Sequence, residues 1–255
     1  MNKHTAAFCL LLLAVFVAVP ANAGDFKGFY VGGNVGGAHG NSNTFTGTVF
    51  SPTGYFATTS PIAINAVGTQ NPTANGFNGG GQAGYNFQHN AWVLGVETDF
   101  GGMSLTAVKS GSATYPCCAP TAFTITQTVE TNWLYTLRPR LGFTTGPVLI
   151  YGTGGLAMTN LQYQSFFSDT FATAKESAIV KSTQTGWAAG AGAEFKVGNH
   201  WSVKGEYLYG DFGSVHGAST NLTAFTPPIM YPTNGFTHGA DLTANIFRFG
   251  FNYRF

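Results

Sequence analysis

A chain of 255 residues with 8% charged residues, 15% aromatics and 35 glycines carries too little charge and too many rings for intrinsic disorder, and too much glycine for a helical fold. The net charge of +1 leaves no basic surface that calls for nucleic acid. At this length one domain is the default.

The chain opens on Lys3 and His4, an apolar run from Ala6 to Val19, the breaker Pro20 and the A-x-A site Ala21-Asn22-Ala23. This is the pattern of a secretory signal peptide over residues 1–23. The rival reading, an N-terminal membrane helix, has too short a run and no basic stop-transfer cluster. The mature chain is expected to start at Gly24 and to form one barrel domain over residues 24–255. No later run reaches the apolar length of a membrane helix, so an exported chain with membrane-like strands must span as a closed barrel. Beyond the signal, which holds Cys9, only Cys117 and Cys118 remain. Adjacent cysteines make no disulfide framework, but a vicinal disulfide is open to them in an oxidising compartment. With no histidine nearby they are weak evidence for a metal.

Residues 26–38 begin the first strand, where Phe29, Val31, Gly33 and Val35 alternate with Tyr30, Gly32, Asn34 and Gly36. The second runs through Gly76–Gln88, with Tyr85 and Phe87 outward and Gln82, Asn86 and Gln88 inward. After a tight turn at residues 88–91, Trp92, Leu94, Val96 and Phe100 face one way, and Gly95, Glu97 and Asp99 the other. The fourth strand shows Trp133, Tyr135, Leu137, Leu141 and Phe143 on one face with Pro139, and Arg138 and Arg140 on the other. A fifth, from Val148 to about Tyr163, alternates too weakly to assign its faces. The sixth carries Trp187, Ala189, Ala191, Ala193, Phe195 and Val197 outward, with Glu194 and Lys196 inward. The seventh carries Trp201, Val203, Tyr207 and Tyr209 outward, with Ser202, Lys204 and Glu206 inward.

The last strand states the plan most clearly. Every odd position from Phe247 to Phe255 is aromatic, and the even positions hold Arg248, Gly250, Asn252 and Arg254. A period of two places an aromatic band on one face and two guanidinium groups on the other. The reading is all-β: an eight-stranded antiparallel transmembrane β-barrel, apolar towards lipid and polar within. Short turns at residues 88–91, 144–147 and 198–200 would be periplasmic, and residues 40–74, 106–129, 164–183 and 212–240 long extracellular loops. A lipocalin-like soluble barrel, with its apolar face inside, leaves the aromatic girdle without a partner.

Several segments resemble a known family: Gly28-Phe29-Tyr30-Val31-Gly32-Gly33-Asn34, Trp92–Phe100, Arg138-Pro139-Arg140-Leu141-Gly142-Phe143, Tyr151–Ala157 and Trp201–Tyr207. They resemble the opacity-like outer-membrane proteins of Gram-negative bacteria, particularly the small immunogenic and hemin-binding surface proteins of alpha-proteobacteria, often called porins. The resemblance covers the strands and almost none of the long stretches between them. Pro139 stands where that pattern has a small residue. The resemblance implies an outer-membrane location and a surface antigen. It also implies that the terminal Phe255 is the aromatic signal read by the barrel-assembly machinery.

The inward charges are the main chemical constellation: Glu97, Asp99, Glu194 and Glu206 against Arg138, Arg140, Lys196, Lys204, Arg248 and Arg254. They are read either as an anion-preferring channel or as a salt-bridge network that fills a bore just wide enough for side chains. The network is the favoured reading. A hemin site would need His or Tyr donors, for which His39, His216, Tyr231 and His238 could converge at one rim. No spacing ties these residues, Asp211 or Asp241 into a catalytic triad or a metal site. The chain is therefore read as a non-enzymatic surface protein with outer-membrane lipid around it. It would have a structural or interaction role through its extracellular loops, towards a host or environmental ligand. A small diffusion porin and a hemin receptor are the alternatives.

Overall fold

The computed structural model describes residues 24–255; the expected signal peptide, residues 1–23, lies outside the described residues. In chain order the elements are β1 (Gly28–Asn41), β2 (Thr44–Thr48), α1 (Ser60–Gly68), β3 (Thr69–Gln70), β4 (Thr73–His89), β5 (Trp92–Thr114), β6 (Ala122–Thr145), β7 (Val148–Asp169), β8 (Lys175–Lys196), β9 (Trp201–Ser219), β10 (Thr223–Ala224), β11 (Ile229–Met230) and β12 (Phe236–Arg254). Eight long strands, β1, β4 to β9 and β12, pair antiparallel in turn, and β12 pairs back onto β1. The ring pairs each long strand on both sides and leaves no open edge across the bilayer.

Tight turns close one end of the ring. Asn90 and Gly146 sit in the left-handed region, at φ 52° and 55°, between β4 and β5 and between β6 and β7. Short connections mark the periplasmic end. Above it, the outward faces are apolar through the membrane: Phe247, Phe249 and Phe251 are 60%, 74% and 55% exposed. Pro139 interrupts the ladder as expected of a residue without an N–H: pairing skips from Leu137↔Leu156 to Arg140↔Thr153 without a change of register.

The extracellular end corrects the expected loops. Strands run far into them: β5 continues to Thr114 and β6 starts at Ala122, so most of residues 106–129 is hairpin. Likewise β7 reaches Asp169 and β8 starts at Lys175, leaving little of residues 164–183 as loop. The alternation was hidden because its polarity reverses. Here Phe123, Ile125, Val129, Leu161, Tyr163 and Phe167 point in and are buried, while Thr124, Thr126, Thr128, Gln162 and Gln164 point out. Register also shifts near the boundary, between Gly102 and Leu105 on β5 and between Glu130 and Leu134 on β6. On β6 the inward positions are odd-numbered below Thr131 and even-numbered from Leu134, so a single period cannot describe the strand. The weakly patterned β7 resolves with Tyr151, Ala157, Leu161 and Tyr163 inward.

Residues 42–72 are a folded plug. β2 takes over from β1 along β12, from Thr44↔Ala240 to Thr48↔Phe236. α1 follows, with Ile64 buried among the aromatic rings of the mouth. Phe56 meets Phe167 and Phe236 with ring centroids 5.7 and 5.9 Å apart. On the other side of β12, β8–β9 pairing stops at Trp187↔Asp211, and β9 continues on β12 alone. Gly213, at φ +74°, supplies the bulge that swings β9 away, and the Asp211 carboxylate accepts its N–H at 3.0 Å.

Candidate functional site

The bore is filled in layers that can be read up the inward face of β12. Arg254, Asn252 and Arg248 are followed by Ile246, Ala244, Leu242 and Ala240, then His238, then Phe236, all buried. Below the lowest charges, Phe26 is fully buried, with the Arg254 guanidinium 4.9 Å from its ring centroid. Gln88 and Asn86 hold its backbone: the Phe26 N–H donates to Gln88 Oε1 at 2.6 Å, and Asn86 Nδ2 donates to the Phe26 carbonyl at 2.9 Å.

The charged layer follows from register. Glu97 lies directly opposite Arg138 across β5 and β6, so an inward carboxylate meets an inward guanidinium. Arg138 Nη2 reaches Glu97 Oε1 at 3.1 Å and Asp99 Oδ2 at 3.0 Å. Arg248 grips Asp99 with two parallel bonds of 3.0 Å and donates from Nε to Glu206 at 2.7 Å. Such forked pairs are the strong form of the interaction. Lys204 Nζ contacts both Glu97 oxygens at 2.7 and 2.8 Å. Arg140 bonds Glu194 at 3.1 Å and Asn86 at 2.9 Å, between the rings of Tyr30 and Tyr151, each 4.9 Å away. Arg254 joins Glu194 at 3.2 Å.

One expected member is elsewhere. Lys196 lies at the periplasmic rim, where its Nζ donates to the Asp25 carbonyl at 2.7 Å and sits 5.8 Å from the Phe26 ring. It is the last inward position of β8, past the final carboxylate layer. Four carboxylates therefore meet five cations: Arg138, Arg140, Lys204, Arg248 and Arg254. The neutral partners are Tyr30, Tyr151, Thr136, Ser202 and Asn252, whose hydroxyls and amide complete the carboxylates' shells. Sequence reasoning set Ser202 and Asn252 on the inward face but counted only formal charges into the network, and so left all five out of it. All except Tyr151 share the inward parity of an assigned charged strand or of its alternating partner set.

Above the apolar belt lies a second polar layer, which also went unseen. His238 Nε2 is 3.4 Å from Glu176 Oε1 and 3.0 Å from Ser219 Oγ, and its Nδ1 is 3.2 Å from Thr46 Oγ1. Ser219 donates to Glu176 at 2.5 Å. This cluster joins β8, β9, β12 and β2 where the wall is parted. Higher still, Asp169 accepts the hydroxyls of Tyr55 and Tyr115 at 2.7 and 3.0 Å. Burial, with Asp169 beside them, pushes both phenols above the usual tyrosine range. Cys117 and Cys118 are joined by a disulfide in the β5–β6 turn.

The four residues expected to converge at a rim do not. His39 and His216 lie on the outer wall, bonded to Asn75 and Ser214. His238 is buried within, and Tyr231 packs in the aromatic crown against Tyr55. The parity of their strands separates them. Phe255 caps the β12–β1 seam, donating its N–H to the Phe29 carbonyl at 3.1 Å and stacking on the Phe29 ring at 5.7 Å.

A closed eight-strand ring with a lipid-facing aromatic band meets its counterpart in known sequences. The family model for the outer membrane protein beta-barrel domain matches residues 7–255. The chain belongs to this family. Its relatives include a 31 kDa outer-membrane immunogenic protein of Brucella melitensis, 37% identical over 199 residues, covering 77% of this chain and 75% of that protein. A 22 kDa outer membrane protein of Rhizobium leguminosarum is 32% identical over 139 residues, 54% of each chain. Among solved structures, the attachment invasion locus protein of Yersinia pestis aligns over 88% of this chain and 99% of its own, at 13% identity and a TM-score of 0.35. The family and its relatives place this barrel in the outer membrane.

Proposed function

We propose that this barrel works as a closed scaffold, presenting its extracellular half to partners without conducting solutes or catalysing a reaction. The observation that carries the reading is the filled bore. The side chains of Arg138, Arg140, Lys204, Glu97, Glu194 and Glu206 are at most 2% exposed and engaged with one another, and an apolar belt and the plug lie above them. A conducting lumen would keep such charges in water. In planar bilayers the folded protein is expected to show no steady conductance; a sustained, ohmic current would overturn the reading.

A hemin receptor has less support, since His39, His216, Tyr231 and His238 share no pocket. Catalysis lacks a suitable arrangement. In the Ser219, His238 and Glu176 grouping, Glu176 approaches the same imidazole nitrogen as Ser219, whereas a serine relay needs the acid on the other nitrogen. We assign Phe255 to closing the seam during assembly, supported by its contacts with Phe29. Deleting it is expected to leave exported chain but little heat-modifiable barrel.

A further inference from the structure

We propose that the outer wall of the extracellular half carries a site for uncharged saccharide, and that its occupant is the sugar chain of the glycolipid in the surrounding outer leaflet. The proposal rests on the reading of that half as the working part of the protein.

The site is a shallow hollow of about 210 Å³ on the outward face of β6, β7 and β8. Its floor is two rows fixed by register: Thr126, Phe166 and Ser177 in one, Thr128, Gln164 and Ile179 in the next. Phe166 is 44% exposed and Ile179 63%, although both stand in water above the membrane. The Gln164 amide offers a donor and an acceptor together, and Thr128 and Ser177 add hydroxyls. None of these three side chains has an intramolecular partner among the described residues, whereas the neighbouring Thr126 and Thr124 hydroxyls are bonded to Ser110 and Ser112 at 2.8 Å. A half-exposed ring beside free hydroxyl and amide groups suits a polyol. The ring covers a sugar's C–H face, and the polar groups exchange hydrogen bonds with its hydroxyls.

Charge and height select the source. No ionic side chain lines the hollow. Lys181 and Glu130 lie one outward row towards the membrane, and Lys175 one row away from it. The wall is continuous with the lipid-facing band. On β7 the outward positions change from Leu156 and Met158 to Asn160, Gln162 and Gln164, and six residues from Met158 to Gln164 span about 20 Å of strand. That height holds the sugars of the same leaflet. A ligand from another cell would first meet the crown, formed by Phe171, Phe225 and Tyr231.

The test uses the whole barrel folded in neutral detergent, with oligosaccharide released from lipopolysaccharide by mild acid and stripped of phosphate as the probe. Dextran is the control sugar, and binding is followed by saturation-transfer NMR and calorimetry. Saturable binding of the released oligosaccharide, weaker for dextran, is expected. Phe166→Ala and Gln164→Ala should each weaken it about tenfold, while Thr183→Ala, on the same wall outside the hollow, should not. Heat-modifiability of each variant verifies the fold. The binding should persist in 1 M sodium chloride, because screening acts on charges. Several outcomes would overturn the site: no saturable binding, binding by both hollow variants as tight as that of the unmutated protein, tighter dextran than native saccharide, or loss in salt together with loss in Lys181→Ala. None of these bears on conductance, so the closed-scaffold reading stands or falls separately.

Discussion

The two halves of this barrel are built from the same strands with opposite rules. Within the membrane β12 shows Phe247, Phe249 and Phe251 to lipid and Arg248 and Asn252 to the lumen. Above it β6 shows threonines to water and Phe123, Ile125 and Val129 to the interior. The solvent outside each half dictates the difference. Lipid accepts rings and expels charge, so ionic groups can be buried only inside, where they pair. Water reverses the preference, and the upper half acquires the apolar core of a soluble barrel. Register shifts on β5 and β6 lie where the rules change.

The largest expected effect attacks the lower half. Arg140→Leu leaves Glu194 and Asn86 without their central partner and should cost about 3–5 kcal/mol, read as a lower urea midpoint in lipid vesicles. Bilayer current should stay at zero, since the neighbouring side chains still fill the bore. The matching cut in the upper half is Phe123→Ala, about 3–5 kcal/mol for a buried ring. It should loosen the cap alone: protease should cleave within residues 42–72 faster while the heat-modifiable barrel persists. Simultaneous loss of both halves would mean that they fold as one unit and that the comparison is only chemical.

The outward faces give a smaller contrast. Phe249→Arg should cost about 2–4 kcal/mol in the bilayer, whereas Thr183→Arg, facing water on β8, should stay within about 0.5 kcal/mol. Equal costs would place the membrane boundary elsewhere. The smallest effect is alkaline. Tyr55 and Tyr115 have raised folded values against about 10 when unfolded. The folded state holds their protons longer, so the stability they contribute is complete below pH ~10 and falls as pH rises above it. Phenolate absorbance should show these two tyrosines silent while exposed ones titrate; Tyr115→Phe should abolish part of the cap's alkaline loss.

The lower half was legible because lipid enforces strict alternation. The faces of seven strands, the inward Glu97, Asp99, Arg138 and Arg140 and the strand count follow from parity; the Glu97↔Arg138 pairing needed the register, which parity does not set. The upper half was not, for three physical reasons. Inverted polarity hid the strands within residues 106–129 and 164–183, the shift near Thr131 broke the period, and residues 42–72 form a plug whose contacts are long-range. Glu176 and His238 were out of reach on similar grounds. They are 62 positions apart in sequence, and only the parting of β8 from β9 makes them neighbours.

The double pairing of β12 has a consequence in time. Its lower length zips onto β1 and its upper length onto β2, so the strand that closes the ring cannot complete its ladder until the segment after the first strand has swung into the mouth. Ring closure and plug insertion are then a single late step. A chain released with residues 44–48 still outside would carry an open edge at its seam, where another chain's strand could pair.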